Sequence, residues 1–257
     1  MSGQKDRDKR REEREAAEAK AAGGDRRTRL LQLAAGGVFL AIIVVVVVII
    51  VAGSGGSSGG GDKPSGEQTT EVDKLLTGIP QNGNVLGKTS APVTLYEYGD
   101  LQCPICKEYS EEILPEIIEN QVKKGEVKIV YRDFIIISEE SIPAGEAALA
   151  AGEQGKGWSF IELFYRNQGE ERSGYVTDEF IEGIAEGAGV PDMAKFNEER
   201  KSGKFKKKVE ATTEQASKFG FTGTPSFAVE GPSSNGIELL NTPGSTEAIV
   251  ERLEQAA

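Results

Sequence analysis

Cys103 and Cys106, in the order Cys103-Pro104-Ile105-Cys106, are the two cysteines of a 257-residue chain. That spacing lets one sulfur close on the other across a single helical turn, so the pair can cycle between dithiol and disulfide. The same spacing also serves as half of a zinc site or, with a histidine directly after it, as a haem attachment. Zinc needs four ligands, usually Cys and His, and this chain has no histidine and no second cysteine pair. Lys107 stands where haem attachment would need histidine. No metal or cofactor is therefore expected. The lack of histidine equally excludes Ser-His and Cys-His hydrolases. What remains is a redox pair, or two small buried hydrophobes that never react.

A reactive pair needs a thiolate, and the neighbouring sequence favours one. Val93–Tyr98 alternates and is rich in strand formers, which predicts a strand leading into the pair. A helix is predicted from Cys103 to about Lys123, with Cys106, Ile113, Ile117 and Val122 along one face and a kink at Pro115. Cys103 then starts the helix, where unpaired N–H groups and the helix dipole favour negative charge. It is expected to have a lowered pKa and to be the attacking thiol. Pro104 suits the first turn, where its missing N–H is no loss. Cys106, one turn in, is expected to be more buried and to resolve. Val127–Tyr131 predicts a second strand, parallel to the first in a βαβ unit.

Residues 142–203 read as mainly helical, with candidates at 144–151, 158–164, 178–188 and 192–201. A further helix over 205–219 stops at Gly220. Ser226–Glu230 and Ile237–Leu240 predict a hairpin, and a last helix over 245–255 is capped by Ser245.

Upstream of the folded part, residues 1–29 hold 10 basic and 7 acidic side chains, a net of +3, so the rest carries −14 of the overall −11. That first segment is too polar to build a core. An acidic globular part argues against a nucleic acid partner, which needs a basic face. Residues 30–52 are apolar apart from Gln32, long enough for one transmembrane helix and longer than the apolar region of a cleaved signal. Arg26, Arg27 and Arg29 precede it, and uncharged Gly/Ser sequence follows. The positive-inside rule puts the N-terminus in the cytoplasm and the C-terminal domain outside, at the cell membrane and where disulfides persist. Residues 53–70 read as a flexible Gly/Ser linker with a reach on the order of 20 Å. The folded domain is expected over 71–257.

Tyr96-Glu-Tyr-Gly-Asp-Leu-Gln-Cys-Pro-Ile-Cys106 resembles the strand-to-site segment of DsbA-like disulfide oxidoreductases of thioredoxin fold. The resemblance continues through Ile113–Ile117, Val127–Phe134 and Ala148–Trp158 to Gly223-Thr-Pro-Ser-Phe227. It implies an α/β, thioredoxin-like fold with a helical insertion after the second strand, which suits the helices expected over about 142–203. It also implies that Pro225 is cis and lies against the cysteines, with the Thr224 backbone able to pair with an extended substrate segment. Glu97, six residues before Cys103, matches an acidic residue buried beneath the site that can relay the proton of the resolving thiol. The flanking Tyr96 and Tyr98 would then point to the opposite face of the sheet. One position departs from the family's strongest oxidants: Ile105 stands where they carry histidine between the cysteines. The thiolate loses that donor, and the pair is expected to be less oxidising.

These residues together predict a membrane-anchored thiol–disulfide oxidoreductase that forms disulfides in exported proteins and is re-oxidised by a membrane redox partner. A reductase or isomerase of the same fold is the first alternative. A non-enzymatic peptide-binding or chaperone module is the second.

Overall fold

The computed structural model describes residues 64–240 and 246–257. The expected charged segment 1–29, the span 30–52 and most of the linker lie outside the described residues, as does the expected cap Ser245. No helix among the described residues is long and apolar enough to cross a membrane.

Two parallel strands carry the site. β3 (Val93–Gly99) and β4 (Val127–Asp133) pair in register from Val93↔Val127 to Gly99↔Asp133. On β3 only Tyr96 escapes full burial, as suits a central strand covered on both faces. β5 (Ser226–Glu230) pairs antiparallel with β3, and β6 (Glu238–Leu240) antiparallel with β5. On the other side β4 meets β2 (Val85–Leu86), which pairs with β1 (Gln81–Asn82). The sheet order is β1-β2-β4-β3-β5-β6. The central strands and the hairpin match the sequence expectation. β1 and β2, two residues each, are too short to leave a periodic signal.

The site helix is broken up more than expected. α2 (Pro104–Glu108) runs into a π-helical turn over Tyr109–Ile113, then α3 (Leu114–Ile117), then a second π turn over Ile118–Val122. Pro115 has no N–H to give the preceding turn. The chain passes it by widening, with the Leu114 N–H reaching back to the Tyr109 oxygen. Leu114, Ile117, Ile118 and Val122 are all buried.

Between β4 and β5 lie α4 (Ser141–Gly152), α5 (Gly157–Arg166), α6 (Asp178–Gly187), α7 (Met193–Lys201) and α8 (Lys206–Lys218). Gly220, at φ +80°, follows the end of α8. α9 (Thr246–Ala256) closes the described chain. α5 is the centre of the insertion: every residue except Arg166 is buried. Trp158, fully buried on it, donates to the Asn84 oxygen at 3.0 Å and meets Tyr131 edge-on.

The fold begins earlier than the sequence suggested. α1 (Gly66–Leu76) starts inside the stretch expected as linker 53–70, ahead of the expected domain start at 71. Ser65 and Gln68 form a reciprocal capping box, which satisfies N–H groups that a free helix end leaves open. Val72 and Leu76 are buried, and the Gln68 side chain donates to the Arg166 oxygen at 2.9 Å. Burial of one apolar face against α5 outweighs the poor helix propensity of this Gly- and Thr-containing segment.

Candidate active site

Cys103 is the N-cap of α2, with extended backbone (φ −77°, ψ 120°), and Pro104 opens the helix. Its sulfur accepts the Cys106 N–H at 3.4 Å, one of the donors a helix start leaves free. The turn that presents it is held from three sides. The Cys103 N–H donates to the Asp100 oxygen at 2.9 Å. The Asp100 carboxylate accepts from the N–H groups of Gln102, Ile136 and Ile137 at 2.9–3.0 Å, tying the turn to the loop after β4. The Gln168 amide, just past α5, donates to the oxygens of Leu101 and Cys103 at 2.8 and 3.1 Å.

Both cysteines are unbridged. Cys106 is fully buried, whereas Cys103 keeps 4% of its surface. Their acidities are pushed apart. The Cys103 thiol is lowered to about 6, chiefly by its hydrogen bond with the Cys106 thiol, against burial and with help from Thr224 and the N–H groups of Cys106 and Ile105. Burial and the neighbouring Cys103 push Cys106 well above the ordinary thiol range. A low-pKa sulfur at the helix start and a buried, protonated partner are what an attacking and a resolving thiol require.

Thr224 and Pro225 complete the upper side. The Cys103 thiol donates to the Thr224 oxygen at 3.3 Å, and the Thr224–Pro225 bond is cis. Beside them runs a groove of about 380 Å³, walled by Ile105, Phe219, Phe221, Leu239 and the Thr224-Pro225 turn. Cys103 itself is not in its wall. Ile105 is 57% exposed, so this position faces solvent and the groove rather than the core.

Glu97 forms the floor. It is buried on β3, and its neighbours in register are Tyr131 on β4 and Phe227 on β5. Tyr109 of the site helix packs on Phe227 with ring centroids 4.7 Å apart. Glu97 Oε2 has no hydrogen-bond partner, and burial first, then the charge of Glu162, pushes its carboxyl well above the usual range. A charge on Glu97 would in turn raise Cys106. Tyr96 and Tyr98 lie on the other face, where Tyr98 packs with Phe219 and Phe221.

The structure thus brings Cys103, Cys106, Thr224 and Pro225 together, sets Glu97 below them and leaves Pro104 and Ile105 on the outer turn. Sequence reasoning did not find Asp100, Gln168 or Glu162. Asp100 and Gln168 act on backbone atoms, which leave no pattern in sequence. Glu162 did leave one: it is the lone carboxylate in the apolar stretch Trp158–Tyr165. Among the described residues no group of His, Cys, Asp or Glu side chains is arranged to hold a metal.

A family model described as thioredoxin matches residues 80–250. The chain is similar to the probable disulfide bond formation protein D of Bacillus cereus, 31% identical over 153 residues that cover 58% of this chain and 71% of that protein. It is also similar to the disulfide bond formation protein D of Bacillus subtilis, 30% identical over 56% of this chain and 66% of that one. In fold it resembles oxidised BdbD from Bacillus subtilis (TM-score 0.60, 23% identity), covering 78% of this chain and 98% of that one. It resembles Wolbachia pipientis α-DsbA1 as well (TM-score 0.58, 18% identity), covering 72% and 95%. A helix-start cysteine pair of split acidity beside a cis-proline turn is the equipment for thiol–disulfide exchange, and the chain belongs to the thioredoxin-fold, DsbA-like protein thiol–disulfide oxidoreductases.

Proposed function

We propose that the protein is a membrane-anchored oxidase of exported proteins that works through Cys103 and Cys106. A substrate thiolate attacks Cys103 Sγ of the Cys103–Cys106 disulfide. That bond breaks, its electron pair leaves on Cys106 Sγ, and the Glu97 carboxyl supplies the proton. A second substrate thiolate then attacks the substrate sulfur of the mixed disulfide, and Cys103 departs as thiolate. The substrate leaves with a disulfide, the pair keeps two electrons, and a membrane redox partner removes them. The Thr224-Pro225 turn and the adjoining groove hold the substrate segment as an extended strand.

The observation that carries the direction is the place of Cys103 at the helix start, where its sulfur accepts the Cys106 N–H at 3.4 Å and its thiol is lowered to about 6. A stabilised thiolate favours the reduced enzyme, so the disulfide is readily given away. The apolar run 30–52 and the arginines before it support anchoring with the catalytic domain outside. The curated relatives from Bacillus carry disulfide formation in their names.

Three measurements test this. Cys106→Ser should accumulate mixed disulfides with exported proteins, and Cys103→Ser should not; equal trapping refutes the division of labour. Protease added outside intact cells should remove the C-terminal domain and spare residues 1–29; a protected domain refutes the orientation. The pair should be oxidised in cells, with a potential above that of reducing thioredoxins. For this couple about 30 mV is a tenfold change in equilibrium constant. A pair held reduced in cells would instead favour the reductase or isomerase, and Ile105→His should move the potential further towards oxidant.

A further inference from the structure

Besides Asp100 in the Cys103 turn and Asp133 at the end of β4, the described residues bury two glutamates, Glu97 on β3 and Glu162 on α5. Their surroundings differ in kind. Both Glu162 oxygens lie 3.1 Å from the Ser110 hydroxyl, which donates to them, and Oε2 accepts from Arg166 Nη1 at 2.8 Å. The Arg166 side chain is itself only 10% exposed, so little of its charge is dispersed into water. Ser110 is fully buried and stands four residues after Cys106 in the site helix. The insertion therefore brings an ion pair up to the helix of the resolving cysteine. Glu97 has no such company: one oxygen is buried without a partner, and its strand neighbours in register are Tyr131 and Phe227.

Two carboxyl groups in contrasting environments divide their labour. The one with a cation and a hydroxyl donor gives up its proton more readily, while the one whose buried oxygen has no donor holds its proton longer. We propose that Glu162 is the fixed anion of this site: paired with Arg166 and Ser110, it holds the proton on Glu97 and so keeps Glu97 ready to protonate the departing Cys106 sulfur. Glu162 acts through Glu97 and is a positioning residue. The proposal rests on the acid role given to Glu97 above.

The charged and titratable groups facing Glu162 agree with this order. Burial, the largest influence, raises the Glu162 carboxyl overall and Glu111 of the site helix adds to it, while Arg166 on its own helix and Ser110 of the site helix pull it back down. Glu97 has no group pulling it down and is pushed well above the usual range. Glu162 in turn raises Glu97 on β3 and Tyr109 on the site helix. When the Cys103–Cys106 bond breaks, the Glu97 proton passes to Cys106 Sγ and leaves a second anion beside Glu162. When Cys106 re-forms the bond, the same proton returns to Glu97.

Carboxyl NMR of the glutamate-labelled full chain in detergent micelles, with Glu97→Gln and Glu162→Gln for assignment, tests the idea without reference to the direction of electron flow. In the unmodified protein Glu162 should be ionised at neutral pH, and Glu97 should titrate above it. In Glu162→Gln the Glu97 midpoint should fall, and Glu162→Asp should restore it. The alkaline limb of the disulfide-transfer rate should move to lower pH in Glu162→Gln, with the Cys103 midpoint unmoved. A protonated Glu162 at neutral pH, or a Glu97 midpoint unmoved in Glu162→Gln, overturns the proposal. If Glu162→Gln does not fold, the order of the two titrations in the unmodified protein decides. Normal transfer rates in Glu97→Gln would remove the acid role of Glu97 while leaving that order intact, so the two failures are separable.

Discussion

The Cys103 thiol donates to the main-chain oxygen of Thr224 at 3.3 Å, while the hydroxyl of the same Thr224 is buried and unpartnered. The two groups suit opposite protonation states of one sulfur. A carbonyl oxygen can only accept, so it serves the thiol and not the thiolate. The hydroxyl can donate, and it is among the groups that lower Cys103. Loss of the Cys103 proton therefore trades one Thr224 group for the other.

Thr224→Val keeps the side-chain shape and removes that donor. The Cys103 midpoint should rise from about 6 by about one unit, the worth of one hydrogen bond to a charged group. The pair should become correspondingly less oxidising. Thiolate absorbance followed against pH reads the effect directly. An unchanged midpoint would mean that the Cys106 thiol and the helix start hold the thiolate without Thr224.

The same lowered acidity links stability to pH. Cys103 titrates near 6 when folded against 9.0 for an ordinary thiol. Because the folded value is depressed, the stabilisation is complete above the unfolded value and is lost as pH falls through the folded one. The reduced protein should therefore gain stability relative to the oxidised protein as pH rises from about 6 to 9. The oxidised form has no free thiol, so the difference between the two isolates this effect. Cys106, raised instead, acts in the opposite sense only at higher pH. Denaturant unfolding of both forms across this window measures it, and a flat difference would contradict the lowered Cys103 acidity.

Much of this site was legible because it rests on local rules. A strand, a helix start and the Cys-Pro-Ile-Cys order place Cys103 and Cys106 without further information. Glu97 was legible only through the resemblance, since an alternating strand does not say which face is covered. α1 could have been read from Ser65 and Gln68, a capping-box spacing, but the Gly/Ser run before it masks the helix start. Glu162 needed the three-dimensional fold. Its charge offends the apolar pattern of α5, and only packing against Ser110 shows what that charge is for. Gln168 and Asp100 were out of reach, because their partners are backbone atoms brought close by the sheet.

Leu239 offers a test of the groove that leaves the cysteines untouched. It lies on the edge strand β6, 42% exposed, and lines the groove together with Ile105. Leu239→Asp removes an apolar surface that a substrate segment would cover, worth about 1.5–3 kcal/mol if fully buried. KM for a protein substrate should rise by about tenfold or more, with the Cys103 midpoint and the reaction with a small disulfide unchanged. Equal KM values would place substrate binding elsewhere.

Gly99 ties the floor of the site to the turn above it. A side-chain carbon there would fall 2.9 Å from the Tyr131 ring and from the hydroxyls of both Tyr131 and Tyr165. Those hydroxyls bond to each other at 3.0 Å, and Tyr165 also donates to the Asp100 oxygen at 3.4 Å. The same Asp100 oxygen accepts the Cys103 N–H. Gly99→Ala cannot be absorbed by a flexible side-chain end, because all three atoms belong to rigid, buried rings. It should cost about 1–3 kcal/mol, the usual penalty of overpacking, and it should displace the Cys103 turn enough to raise the Cys103 midpoint. Tyr165→Phe in the same chain removes one of the three obstructing atoms, so the double variant should recover part of the lost stability, a coupling expected of residues in contact. Denaturant unfolding and the thiolate titration together decide the matter. A Gly99→Ala protein as stable as the parent, with Cys103 still titrating near 6, would show that the turn is held by Asp100 and Gln168 alone.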